Sequence, residues 1–276
     1  MLDLNDFAVL ESIEADDGTK VEIIQFDDLK GSSDLRSAEK LFYAKEVGIR
    51  LKMVRVFLND STIRVEPGAL YFMKGNLKMQ TSTGGGIAHG LARKMVAGES
   101  FFVNEIVGTG EIYFEPTFGY FFLHKIEKSE GGVIVDRSLF YAGTSGLDIS
   151  AAIQNNLSSA LWGGEGLFQT KIFGNGIAIL CSPVPIQEII KYKLSGEKLF
   201  VDGNFALMRS EEITFRVEKS SKSWISTSVS GEGMLQTFEG NGFVWIAPTQ
   251  SIYEKLVYKG LEELTLIKGS SNSKTK

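Results

Sequence analysis

The sequence predicts an all-β protein with minor helix, built from three related units set about an approximate three-fold axis. Three observations predict it. The segments VEPGALYFMKGNLKM, VDRSLFYAGTSGLDI and VDGNFALMRSEEITF, starting at Val65, Val135 and Val201, align without a gap. Each copy then reaches a Gly-Glu pair: Gly98-Glu99, Gly164-Glu165 and Gly231-Glu232. An apolar run and a Gly-x-Gly follow in all three. Repetition on this scale makes each copy one structural unit that buries its apolar face against its neighbours.

Each element can be justified in turn. Residues 1–45 precede the repeats as an acidic extension. In it VEIIQF (21–26) reads as a strand and Asp16-Asp17-Gly18 as the turn before it. SSDLRSAEKLFYAKE opens on Ser/Asp capping residues and reads as a short helix. The repeats occupy 46–250, divided at about 46–118, 119–184 and 185–250. Within them Leu77/Met79, Leu147/Ile149 and Ile213/Phe215 are apolar at alternate positions, the period of a half-buried strand.

FFVNEIV, LFQTKIF and MLQTFE precede Gly108-Thr109-Gly110, Gly174-Asn175-Gly176 and Gly240-Asn241-Gly242. Beyond these, Ile112/Phe114, Ala178/Leu180 and Val244/Ile246 resume period two. Two strands around a glycine turn predict a β-hairpin, since glycine takes positive φ at little cost. Between the strand groups, Ile87, Leu91 and Met95, and likewise Ile153, Leu157 and Leu161, stand four apart and predict short capping helices. The third copy has Ser220, Trp224 and Ser228 there, so its helix is degenerate. Residues 251–276 are of mixed character and end in a polar tail.

Composition narrows the function. With 43% hydrophobic residues the chain can bury a large core. One cysteine, Cys181, precludes an internal disulfide and suits a reducing compartment, and the start has no basic signal-like region. The expected location is the cytoplasm, with no transmembrane segment and at most peripheral membrane contact. Residues 1–34 carry ten acids against Lys20 and Lys30, and the remainder is close to neutral. The acidic stretch reads as a solvated face. That balance argues against specific nucleic-acid binding, which depends on neutralising phosphates.

Chemistry is sparse. His89, His124 and Cys181 are too few for a usual zinc site, and the two histidines occupy no repeated position. Thr83-Gly84-Gly85-Gly86 before Arg93-Lys94 invites a phosphate reading, but copy two has Ile149-Ser150-Ala151-Ala152 there. A strand-to-helix turn explains it better. Glu99, Glu165 and Glu232 recur identically. Near a common axis they would need a cation or protons. Beside glycine they more simply accept backbone N–H bonds, so a structural role is expected. Trp162 and Trp245 read as core. No metal, cofactor or catalytic residue is expected. Ile87, Leu91, Arg93, Lys94 and Met95 form a candidate interaction helix.

EPGALYFMKG (66–75), TGGGIAHGLARKMVAGESFF (83–102), LWGGEGLF (161–168) and its third-copy partner SGEGML (230–235) together resemble the altered inheritance of mitochondria protein twenty-four family. The resemblance covers about 46–250. It implies a three-fold pseudosymmetric β assembly with the fold of the tryptophan-RNA-binding attenuator proteins. It implies no reaction and supplies no catalytic residues. The expected function is a non-catalytic scaffold, acting on a protein partner or as a homo-oligomer. The alternative is a binding protein for a small ligand, a membrane surface or RNA.

Overall fold

Alternating apolar residues in the first unit make three long strands, β3 (Lys52–Val65), β4 (Leu70–Ser82) and β5 (Val103–Phe114). The computed structural model of the chain describes residues 7–29, 31–82, 103–152, 169–219 and 234–265. In the second unit the same course is cut into β6 (Tyr120–Ile126), β7 (Val133–Asp136), β8 (Phe140–Thr144), β9 (Leu147–Ala152), β10 (Gln169–Gly174) and β11 (Gly176–Ser182). The third unit has β12 (Ile190–Asp202), β13 (Ala206–Ser210), β14 (Thr214–Lys219) and β15 (Met234–Ile246).

The Gly-x-Gly motifs are not hairpin turns, which corrects the sequence expectation. β5 and β15 run straight through theirs, and Gly174-Asn175-Gly176 is where the chain leaves one sheet for the other. The glycines serve a bulge. Leu58 pairs with Gly110 and Ser61 with Gly108, so Asn59-Asp60 oppose Thr109 alone. Asp60 takes φ 49°, and its N–H donates to Thr109 Oγ1 at 2.9 Å. A Cβ on Gly108 would collide with the Asn76 carbonyl oxygen, and one on Gly110 with that of Lys74. Positive φ and close backbone approach both demand glycine, as they would in a turn. The third unit repeats the device, with Gly196-Glu197 inserted opposite Gly240.

The bends divide the strands between two antiparallel sheets. One runs β1-β2-β3-β8-β11-β6, with β5 joining β3 to β4; the other runs β12-β15-β13-β7-β10-β9, with β14 on β15. The first core packs Val56, Ile63, Ile106 and Phe114 of unit one against Ala142, Ile177 and Ile179 of unit two. The second packs Val135, Phe140 and Leu180 of unit two against Leu207, Met208 and Trp245 of unit three. Trp245 is core, as expected. The third, around Val201, Phe215, Phe238 and Val244, draws on unit three alone.

The N-terminal extension is an integral part of the first sheet. β1 (Ala8–Glu14) and β2 (Lys20–Gln25) form a hairpin about residues 16–18, and β2 pairs with β3. The expectation of a solvated acidic face does not hold for several of these acids. Glu22 is buried, with Arg55 Nη2 2.6 Å and Lys20 Nζ 2.6 Å from its oxygens. Although partly desolvated, Asp17 is held down to a pKa of about 2 by the hydroxyls of Ser145 and Ser61 and by the Thr19 N–H. Glu11 accepts the Leu123 N–H of β6 at 3.1 Å, which links the two ends of the sheet into a barrel-like ring. Asp28 pairs with Lys45 and Arg50.

Among the described residues two α-helices lie outside the sheets. α1 (Leu35–Glu46) is capped by Asp34, whose carboxylate accepts the Arg36 and Ser37 N–H groups. The mixed segment after Thr249 becomes α2 (Gln250–Thr265), anchored where Tyr253 donates to Glu188 at 2.7 Å. None of the helices is long and apolar enough to cross a membrane among the described residues.

Candidate interaction surface

The repeated Gly-Glu pairs and the candidate interaction helix lie outside the described residues: Gly98, Glu99, Gly164, Glu165, Gly231, Glu232, Ile87, Leu91, Arg93, Lys94 and Met95. The same holds for His89, Trp162, the Thr83–Gly86 stretch and both predicted capping helices. The candidate surface is therefore built from the strands themselves.

The two joints between units follow one rule. At the first, β3 meets β8 with Val65 opposite Ala142. At the second, β7 meets β13 with Val135 opposite Met208. In both, the repeat's anchor valine faces the residue seven places after the next anchor. These partners are sealed, Ala142 at 0% exposure and Met208 at 2%. Applied to the third unit, the rule pairs Val201 with Phe72. No strand of unit one pairs with a strand of unit three among the described residues, so the expected three-fold ring is not closed here.

Among the described residues two long edges are left, since β4 pairs only with β5, and β12 only with β15. Phe72 is 41% exposed and Phe200 54%, and Tyr71, Met73, Ile190 and Tyr192 are exposed as well. Phe72 also stacks on Tyr113 with ring centroids 4.3 Å apart. Edges of this length are a template for another strand unless charge or bulges blunt them. β12 carries some blunting through Lys191, Lys193 and Lys198 and the Gly196 bulge; the Tyr71-Phe72-Met73 run of β4 has a bulge at Tyr71 but no charge. A second exposed region surrounds α1. Leu35, Phe42, Tyr43 and Val47 face solvent, beside a groove of about 520 Å³ lined by Asp28, Leu41, Lys45, Arg50 and Phe118.

Among the described residues the shifted titratable groups fall in separate places, with Glu66, Tyr141 and Cys181 near one another and His124 apart from them. His124, on β6, lies against Trp245 and Phe243, and burial followed by the nearby Lys191 charge pulls its pKa down to about 4. Lys191 itself sits over the Trp245 ring at 3.9 Å. Burial lifts Glu66 to about 6, against the opposing pull of Arg137. Burial, reinforced by Glu66, pushes the half-buried Cys181 thiol up. No group of three His, Cys, Asp or Glu side chains able to hold a metal occurs among the described residues. The sequence reading missed two things: the joint register, present in the gapless alignment, and the acid recurring after each anchor valine, Glu66, Asp136 and Asp202. Asp136 uses its carboxylate to accept the Ser138 N–H and hydroxyl.

Fold and surface together define a mostly β protein of two antiparallel sheets, with open outer strands among the described residues. The chain belongs to the family described as Mitochondrial biogenesis AIM24, whose family model matches residues 45–249. It is 25% identical over 201 residues to an uncharacterised protein of Streptococcus pyogenes serotype M6, covering 68% of this chain and 77% of that one. A crystal structure of a Streptococcus pyogenes protein from a structural genomics programme shares the fold. Its TM-score is 0.56 at 19% identity, over 86% of this chain and 98% of the other.

Proposed function

We propose that this protein is a non-catalytic scaffold whose working surfaces are the free edges of β4 and β12. The observation that carries the reading is the pair of strands with one edge open among the described residues, presenting Tyr71, Phe72, Met73, Ile190, Tyr192 and Phe200. Strand addition to such an edge gains backbone hydrogen bonds, and the alternate side chains select the partner. The shifted groups support the same reading. His124 on β6, Glu66 in the β3–β4 connection and Asp17 in the β1–β2 turn lie in separate parts of the chain, each shift explained by its own packing. A reducing cytoplasm suits the lone thiol of Cys181.

A photo-reactive residue placed at Phe72 or Phe200 in the native host tests this. Protein adducts at both positions, absent from a control position in the β1–β2 hairpin, are expected. Adducts only to lipid, RNA or small molecules would replace the scaffold with a ligand-binding protein.

A further inference from the structure

We propose that the partner of the β4 edge is β12 of a second copy of this chain, paired antiparallel with Val201 opposite Phe72 and Phe200 opposite Met73. The inference rests on the scaffold reading and names its partner. Its first support is register. Both joints inside the chain use the same offset, Val65 to Ala142 and Val135 to Met208, and the gapless repeat alignment carries that offset to Val201 and Phe72 without adjustment. β4 and β12 are the strands whose counterparts already make this contact elsewhere in the fold, and among the described residues they are the two left without it.

The second support is the state of the cores. The first two each take side chains from two units, and the third takes them from unit three alone. By the repeat alignment, Tyr113 stands where Ile179 and Trp245 stand in units two and three. Ile179 lies in the first shared core and Trp245 in the second. Tyr113 instead sits in a small separate cluster with Ile24 and Met53, and Phe72 stacks on it. Seating β12 of a second copy on β4 sets Phe72 against the half-core around Val201, reproducing what the internal joints do.

The third support is chemical fit. In this register Phe200 faces Met73, Val201 faces Phe72, Leu199 faces the stem of Lys74 and Asp202 faces Tyr71, so no like charges oppose each other. Apolar and aromatic cross-strand pairs of this kind stabilise a ladder. Unit one and unit three share no strand pairing among the described residues, and a second copy supplies the missing strand. Each copy keeps one edge of each kind. The contact is therefore head to tail and propagates into a ring or a filament.

Cysteine pairing tests the register. Directly opposed antiparallel residues stand about 4.5–5.5 Å apart at Cα, within the about 4.4–6.8 Å that a disulfide spans. In a Cys181→Ser background, Met73→Cys and Phe200→Cys are combined in one chain and also made singly, and native folding is verified by circular dichroism. Mild oxidation is expected to give a ladder of linked multimers from the double variant. A mixture of the two single variants should give mainly linked dimers. A second arm uses sedimentation of the unmodified chain, which should show multimers that Phe72→Lys reduces to monomers. A disulfide formed within one chain, no disulfide, or a monomeric unmodified chain would each overturn the proposal. Should that happen while photo-adducts to other proteins persist at Phe72 and Phe200, the scaffold reading survives without this partner.

Discussion

The first sheet and the third unit are made from the same bent strands, yet one is closed and the other is open. In the first, Ala142 is sealed against Val65, and the N-terminal hairpin fills the remaining gap, with Glu11 reaching across to Leu123. In the third, Val201 has a core on one side and an unpaired strand edge on the other. The lesson is that closure is not a property of the repeat. It is supplied by whatever lies beside it, here a non-repeated extension or a neighbouring unit.

The sharpest way to break the comparison is to put a charge at equivalent places in the closed and open joints. Ala142→Lys buries an ammonium inside the first core and is expected to cost more than about 4 kcal/mol in urea melts. Phe72→Lys, at the same repeat position, should cost a dilute chain only about 1 kcal/mol, mostly lost stacking on Tyr113. Glu22→Ala tests the extension. It leaves the Arg55 guanidinium buried without its carboxylate and should destabilise by about 3–5 kcal/mol.

Acid should act on the junction between units two and three. His124 is held neutral with a pKa near 4, below its ordinary value. The unfolded chain binds that proton first as pH falls. Stability is therefore full above about pH 6.5, falls between there and pH 4, and levels off below. The expected loss is on the order of 2–3 kcal/mol, and His124→Gln should abolish that part of the pH dependence. Asp17 has the carboxylate version of the same sign. Its contribution is present above about pH 4 and fades toward pH 2, on the order of 1 kcal/mol after screening at a partly exposed site. Asp17→Ala should flatten that limb. The smallest effect is expected at Phe200→Ser, within about 0.5 kcal/mol for the dilute chain.

How much of this was legible in the sequence depends on the range of the interaction. Local signals read correctly: the turn at 16–18, the strand expected over 21–26 and found over 20–25, the Asp34 cap and the period-two strands all rest on neighbours a few residues apart. The Gly-x-Gly motifs misled because glycine answers the same demand, positive φ, in a turn and in a bulge. Only the partner strand distinguishes them. The acids misled for a similar reason. Glu22 finds Arg55 33 residues away and Asp17 finds Ser145 128 residues away, and no window along the chain brings these together. The candidate surface was half legible, since the offset between anchor and partner is written in the alignment, while which joint stays open is not.

The lone thiol described on β11 gives the barrel a built-in clock. Cys181 lies opposite Phe121 in the β11–β6 pair, half-buried and with its thiolate disfavoured by burial and by Glu66. A thiol reagent attacks this half-buried, poorly ionised thiol slowly, and parting of the strand pair speeds the attack, so a rise in labelling rate reports loosening of the pair. With no second cysteine to confuse the signal, the unmodified protein reports how often its own barrel breathes.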